Sequence, residues 1–483
     1  MRGLICLSLF LLGCASDPIG PVVTTTTTTT MPEPSTTTTT VPSVTTTTTV
    51  PSPSTTVTTT TLLEPEPTTT TVTLPPTTTT SSTTTLPPTT TTVTITTTTT
   101  STTVIPSTTL PNVTTTTLQP SPTPFPKVGD FNVIPSNFDV NSELVPAWGT
   151  GAIPASAKPD VVGAFRFICN ASHLLYDDPI VYPGKPGASH LHQFFGNTLA
   201  DANSTYASLR TTGMSTCESP LNRSAYWMPA MMNGKGQVVK PDFVSIYYKR
   251  RPDTDPLCQK IGKACVDLPK GLRFIFGYNM LATGEAKTGG GYWNCDGTAN
   301  NVAGAVPGHY PSIIEAAKNC PAGASLGAVI SAPECWDGVN LDSPDHRSHV
   351  AYSKYIGQSY AQCPATHPYV IPTFSLGAWY TTDATLDRSG TWDGTLNSWH
   401  LSSDEMATSR PGTTFHTDWF GAWDDSVMAM WMGGCINGLL NCSGGDLGNG
   451  KQLKRYKGFS WKANPRLVDP PPMPMQMMKM EHK

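Results

Sequence analysis

The chain has 483 residues, of which only 13% are charged, with 30 Lys and Arg against 34 Asp and Glu for a net charge of -4. The charged share is about half that of an average soluble protein. With no excess of cations it excludes a dedicated nucleic-acid or polyphosphate binder, and it is far too poor in Glu and Lys for a long coiled coil. At roughly 150 residues per domain the length suggests about three domains, but the 46 prolines and a Thr-dominated first quarter mark the average as a mixture of unlike segments.

The chain opens on one cation at Arg2, an apolar run from Leu4 to Leu12, and small residues, the pattern of an export signal over residues 1–13. Leu11-Leu12-Gly13-Cys14 resembles the lipobox of bacterial lipoproteins, which implies that Cys14 becomes the lipidated first residue. The apolar run is shorter than the ~20 residues of a spanning helix. Acyl chains would then be the membrane attachment, and the expected address is exported, lipid-anchored to a bacterial membrane and displayed at the cell surface.

Residues 14–127 are runs of Thr broken by Pro, Val and Ser, with no aromatic residue between Phe10 and Phe125. Such a segment lacks the apolar bulk to offset its ordering entropy and reads as a disordered stalk. As a flexible coil it would average roughly 55–60 Å end to end. A single globular domain is expected over residues 128–468, which hold all 11 Trp. Ten cysteines fall in it, and an even number in an exported chain reads as five disulfides. Of the roughly 900 pairings possible, spacing favours Cys258 with Cys265 and Cys435 with Cys442; zinc is the rival use of paired cysteines, but no C-x-x-C occurs.

Within the body, residues 164–168, 243–248, 272–276 and 377–380 combine β-branched and aromatic residues between Gly, Pro and Asn, as strands do. Ser312 to Lys318 and Trp423 to Trp431 read as short helices. There is no βαβ alternation, no G-x-G-x-x-G and no P-loop, so nucleotide chemistry has no seat. The expected fold is mainly β, a sandwich or jelly roll with a few short helices and long disulfide-pinned loops. Residues 469–483 form a separate Met-rich tail whose five methionines and His482 could hold a soft metal such as Cu(I).

Chemistry concentrates at the histidines. Ser189-His190-Leu191-His192 sets two imidazoles at i and i+2, the same face of a strand, a geometry for one metal ion or one substrate group. Asp342 and then Asp345-His346-Arg347-Ser348-His349 follow Cys335-Trp336-Asp337-Gly338; His400-Leu401-Ser402-Ser403-Asp404-Glu405 and His416-Thr417-Asp418-Trp419 complete the set. If they converge, His190, His192, Asp345, His346, His349, His416 and Asp418 make a mixed imidazole and carboxylate site. It could bind a divalent metal through His190, His192, His346 and His349 and activate water, or use a His base and a carboxylic acid without metal. Taken singly, each histidine equally fits the structural task of tying a polar loop to backbone carbonyls. No G-x-S-x-G and no H-E-x-x-H is present. Trp227, Trp293, Trp379 and Trp423 stand beside Gly, Asn and Asp, a setting suited to stacking on sugar rings, as well as to plain packing.

The order of these motifs, from Asp178-Pro179-Ile180-Val181 through Ser189-His190-Leu191-His192, Ser215-Thr216-Cys217, Tyr226-Trp227-Met228-Pro229, Cys335-Trp336-Asp337-Gly338 and Asp345-His346-Arg347-Ser348-His349 to His416-Thr417-Asp418-Trp419 and Trp423-Asp424, resembles the domain-of-unknown-function family numbered 1996. The resemblance covers about residues 160 to 436 and brings no established activity. It departs from the family pattern at Ser403-Asp404-Glu405-Met406, where a Gly-Asp stretch is expected. Fungal members joined to carbohydrate-binding modules imply polysaccharide or cell-wall targets. The leading expectation is a surface lipoprotein that binds or cleaves extracellular polysaccharide, by hydrolysis or elimination if it is an enzyme. A non-catalytic carbohydrate-binding or adhesion module is the alternative, and extracellular metal handling is a third.

Overall fold

Along Phe243–Arg250, Val244, Ile246, Tyr248 and Arg250 are buried while the residues between them are part-exposed, the period-two signature of a strand with one face on a core. In the computed structural model, which describes residues 125–147, 162–282, 291–357, 360–407 and 409–474, this strand lies inside a six-stranded sheet. The order is Tyr292–Asp296, Ser325–Ser331, Thr373–Thr381, Phe243–Arg250, Gly163–Cys169 and Asn441–Cys442, antiparallel except for the last pair. The export signal, Cys14, the stalk up to residue 124 and the tail beyond Pro474 lie outside the described residues.

A second, five-stranded antiparallel sheet runs in the order Arg273–Gly277, His416–Phe420, Ala225–Pro229, His192–Gly196, Ala171–Leu175. The two sheets pack face to face. Phe165, Phe167, Tyr248, Phe374 and Leu376 of the first meet Phe195, Tyr226, Phe274, Phe276 and Trp419 of the second in one core. Inside it the hydroxyls of Tyr226 and Tyr248 share a hydrogen bond of 3.0 Å, which gives two otherwise costly buried polar groups a partner. The expected sandwich is therefore what forms, and the four expected strands lie where the sequence put them, within one residue for Arg273–Gly277 and inside longer strands for the rest.

Both faces of the five-stranded sheet are covered. Its outer face carries Phe194, Trp227, Ile275 and Phe420, packed under Ile180 and under Tyr206 and Leu209 of the helix Tyr206–Thr211. The outer face of the six-stranded sheet is part-exposed, and there Trp379 lies over Gly327 and Gly377, with ring atoms 2.7 Å and 3.0 Å from where a side-chain carbon would begin on each. These glycines serve close approach.

The two expected helices are Ile313–Lys318, capped by Ser312, and Asp425–Trp431, capped by Asp424. None of the described helices is long and apolar enough to cross a membrane. Five disulfides join Cys169 to Cys217, Cys258 to Cys265, Cys295 to Cys320, Cys335 to Cys363 and Cys435 to Cys442, so each body cysteine pairs with its neighbour in sequence. Both expected local pairs are among them. Five such bridges belong to a chain that folds in an oxidising compartment, outside the cytoplasm.

Candidate metal centre

Strand alternation builds the site. In His416–Phe420, Trp419 points into the sandwich while His416, Asp418 and Phe420 point to the outer face. In His192–Gly196, Phe195 goes inward, and His192 and Phe194 go outward. His192 is level with Pro229, and extending the Asp418 to Trp227 register by two residues brings His416 level with the same proline. The two histidines thus stand two strands apart, about 10 Å. Their rings lean over the short proline to within 6.2 Å of each other. His190, from the loop entering the strand, closes the group, with its ring 4.2 Å from His192 and 5.1 Å from His416.

Two of the three imidazoles are held in one tautomer. His192 Nδ1 donates to the Asp177 carbonyl (2.9 Å) and His416 Nδ1 donates to the Thr414 carbonyl (2.8 Å). A carbonyl only accepts, so in each neutral ring the lone pair sits on Nε2, the arrangement metal-binding histidines use. Nε2 of His192 and Nε2 of His190 are buried without any hydrogen-bond partner. Burial lowers the pKa of all three, aided at His190 by both other rings and at His416, brought to about 3, by His192. They are neutral near pH 7, as ligation requires.

Two carboxylates complete the arrangement. Asp178 and Asp418 form a second group with His192, and in each group, this one and His190 with His192 and His416, one ligand atom per residue lies within 4.8 Å of the others. Both Asp418 oxygens are buried with no hydrogen-bond partner. Burial and the neighbouring Asp178 push its carboxyl well above the usual range, against the pull of Arg347. Arg347 is fixed by donating to the carbonyls of Gly277 (3.0 Å) and Tyr278 (2.9 Å). Buried polar groups are rarely left orphaned. A cation would satisfy together the lone pairs of His192 and His416, the unpartnered Nε2 of His190 and the Asp418 carboxyl with no donor, and the donor set suits zinc, copper or another first-row ion.

Asp345, His346 and His349 do not join this centre. His346 Nδ1 donates to Asp342 Oδ1 (2.8 Å). His349 Nε2 donates to the Arg273 carbonyl (2.8 Å), with its Nδ1 2.8 Å from the Ser343 hydroxyl. Asp345 accepts from the Ser343 hydroxyl and from the backbone N–H groups of Arg347 and Ser348. The motif thus ties a tight turn to the edge strand, and the proposed metal role of His346 and His349 is corrected: both ring nitrogens of His349 are engaged, His346 Nδ1 is held by Asp342, and neither ring joins the groups around His192. What the motif sends to the centre is Arg347. His400 and Asp404 are likewise engaged, His400 with the Ser398 carbonyl and Glu405, Asp404 with N–H groups of Leu401, Gly412 and Thr414.

The sugar-stacking assignment is corrected for three tryptophans. Trp227, Trp293 and Trp423 are buried. Trp227 stacks on Phe194 beneath the outer covering layer, Trp293 donates its Nε1 to the Gly412 carbonyl, and Trp423 sits edge-on to Phe167 in the sandwich core. Trp379 alone of the four is part-exposed. Sequence reasoning missed Asp178 and Arg347 as site residues, although both stood inside motifs it singled out.

A protein-family model described as Domain of unknown function (DUF1996) matches residues 178–423. The match begins at Asp178, and every member of the centre lies within it. No curated protein and no solved structure matches the chain.

Proposed function

The chain belongs to the family described as Domain of unknown function (DUF1996), a membership that names no activity, and we propose from the site itself that it is an exported metal-binding domain directed at extracellular polysaccharide. The observation that carries the metal reading is the convergence of His190, His192 and His416, two of them with Nδ1 on a backbone carbonyl, beside the unpartnered carboxylate of Asp418. Bound there, a transition-metal ion supplies a Lewis acid and lowers the pKa of a bound water. The protein's own part is to hold the neutral imidazoles of His192 and His416 across the sheet with His190 beside them, and to keep Arg347 near Asp418, where it balances part of the local charge and offers a cation to an anionic group of a substrate.

Polysaccharide is supported by a different surface. The part-exposed Trp379 indole lies over Gly327 and Gly377 on the outer face of the six-stranded sheet, in register with Phe243 on the neighbouring strand. An indole held in this way presents an apolar plane to sugar rings. The same surface favours the second reading, a non-catalytic carbohydrate-binding or adhesion module in which the metal is structural. Attachment through a lipid on Cys14, with the Thr-rich segment as spacer, belongs to both readings.

One experiment separates them. Metal content of the purified exported protein is measured by elemental analysis for wild type, for His192→Ala with His416→Ala, and for His346→Ala with His349→Ala. Near-stoichiometric metal is expected in the first and third and at least about a tenfold loss in the second. The same proteins and Trp379→Ala are run against a polysaccharide panel for retention and product release. Cleavage that disappears with His192 and His416 supports the enzyme; retention that disappears only with Trp379 supports the module. Equal metal content in all three proteins sinks the metal centre, and no retention on any polysaccharide sinks the target.

A further inference from the structure

The cationic excess that the whole chain lacks is gathered in one stretch. Between Asp446 and Asp469 there are six Lys and Arg and no Asp or Glu, with Tyr456, Phe459 and Trp461 among them. The fold lays this stretch along one end of the six-stranded sheet. Tyr456 donates its hydroxyl to Asn170 Oδ1 (2.6 Å), and Asn170 Nδ2 donates to the Ser460 carbonyl (2.6 Å), just past the strand Gly163–Cys169. Lys462 Nζ donates to Asp242 Oδ2 (3.1 Å) and Thr381 Oγ1 (2.9 Å), where the strands Phe243–Arg250 and Thr373–Thr381 meet the same end. Trp461 then lies edge-on to Phe243, with ring centroids 5.6 Å apart, and Phe243 is the register partner of Trp379. Three rings from distant parts of the chain thus form one row on the outer face. Cations flank the row. Arg455 lies over the rings of Phe459 (5.0 Å) and Trp461 (5.5 Å). Four residues along the strand from Phe243, about 13 Å, Tyr247 carries Arg166 and Lys249 over its ring at 4.5 Å and 4.0 Å. The three strands that make this face contain no Asp or Glu, and Asp242 at their end is buried and paired with Lys462.

We propose that the outer face of the six-stranded sheet binds an acidic polysaccharide of the polyuronate class, with Trp379, Phe243 and Trp461 against its sugar rings and the cations at either end of the row holding its carboxylates. This rests on the polysaccharide reading above and names its class. A patch of one sign attracts a polymer of the other, and ring faces add stacking that a plain charge patch lacks. The cations stand among aromatic rings and not in a continuous row, which matches a chain with one carboxylate per sugar ring better than a heavily sulfated one. Trp379, Phe243, Tyr456, Phe459 and Trp461 are all part-buried, so they offer ring faces and edges and not the protruding apolar tips that enter a lipid surface. Arg166 and Arg455 are held over rings, and a planar guanidinium is suited to two parallel hydrogen bonds to a carboxylate.

The test measures binding of the full chain to polygalacturonate, to its fully methyl-esterified form, to a highly sulfated glycan and to vesicles of anionic phospholipid, at low and high salt. Wild type is compared with Trp379→Ala and with a charge variant carrying Lys249→Gln, Lys454→Gln and Lys457→Gln, whose thermal unfolding is followed alongside. Wild type is expected to bind polygalacturonate at least about tenfold more tightly than the methyl ester, an advantage that high salt removes. The charge variant is expected to unfold like wild type and to bind acid and ester alike, and Trp379→Ala to weaken both. Equal wild-type affinity for acid and ester overturns the proposal and leaves the polysaccharide reading standing. Binding to neither polymer also overturns it, and the polysaccharide reading falls with it only if the wider panel fails as well. Tighter binding to the sulfated glycan or to the vesicles than to polygalacturonate overturns the polyuronate as occupant, and an undiminished preference for the acid in the charge variant overturns the surface.

Discussion

Glu218 is fully buried at a positive φ of 63° beside Cys217, and the Arg455 guanidinium reaches only one of its oxygens (3.3 Å). Burial pushes its carboxyl up from 4.5 to about 7, against the pull of Arg455. The folded state therefore holds this proton more tightly than the unfolded state does. Below about pH 4.5 both states are protonated and the residue is neutral to stability. As the pH rises toward 7 the unfolded chain ionises first, and folding becomes less favourable by on the order of 3 kcal/mol. Above 7 the deficit stays constant. Glu218→Gln removes the titration, so thermal unfolding at pH 4.5 and pH 8 is expected to show a smaller drop between the two pH values in the variant. Parallel pH dependence in the two proteins would refute the assignment.

At the next scale, the helix Asp425–Trp431 shows how one side chain serves two elements. Asp424 Oδ1 accepts from the N–H groups of Ser426 (3.0 Å) and Val427 (3.3 Å), capping the helix. Its Oδ2 pairs with Arg210, a nearly inaccessible guanidinium on the helix Tyr206–Thr211 (3.2 Å), and accepts from the Ser136 hydroxyl. Losing a cap costs about 1 kcal/mol, and isolating a buried charge costs about 3–5 kcal/mol. Asp424→Ala is expected to lose stability at the upper end of that range in urea unfolding, and Asp424→Asn distinctly less because the amide oxygen still caps. Equal losses would mean that the cap contributes nothing and that the loss lies in the ion pair alone. Elements such as this one were legible because their signals are local: Ser312 and Asp424 cap where the sequence places them, and Phe243–Arg250 alternates over its whole length. The same locality explains the errors at Trp227, Trp293 and Trp423. Whether a tryptophan beside Gly or Asp is exposed depends on which layer covers its sheet face, and nothing within a few residues of Trp227 announces that Phe194 and the helix Tyr206–Thr211 will close over it.

For the whole molecule, His190, His192, His416 and Asp418 were readable as residues but not as a site, because 224 positions separate His192 from His416 and only the sheet order brings both to Pro229. His346 and His349 match them in type and are excluded by where their hydrogen bonds go. The covalent frame has its own hierarchy. Cys169–Cys217 closes the longest loop, with a separation of 48, and ties the end of Gly163–Cys169 to the chain leading into Ala225–Pro229, so it links the two sheets. Chain entropy assigns it about 4 kcal/mol, against about 2 kcal/mol for the seven-residue separation of Cys258–Cys265. Paired Cys→Ala variants are expected to fall in that order on thermal unfolding, and the reverse order would show that the longer bridge does not control the sheet-to-sheet contact.

Because each cysteine is joined to the next one along the chain, a body that crosses a membrane from its N-terminal end presents its thiols in the order in which they must be married. An oxidant that couples each new thiol to the one just before it would reach the native map directly out of roughly 900 alternatives, with no bond ever waiting for the C-terminus and none needing to be undone. Secretion, on this reading, is where the connectivity is written, and refolding the reduced chain all at once in a test tube would discard that information.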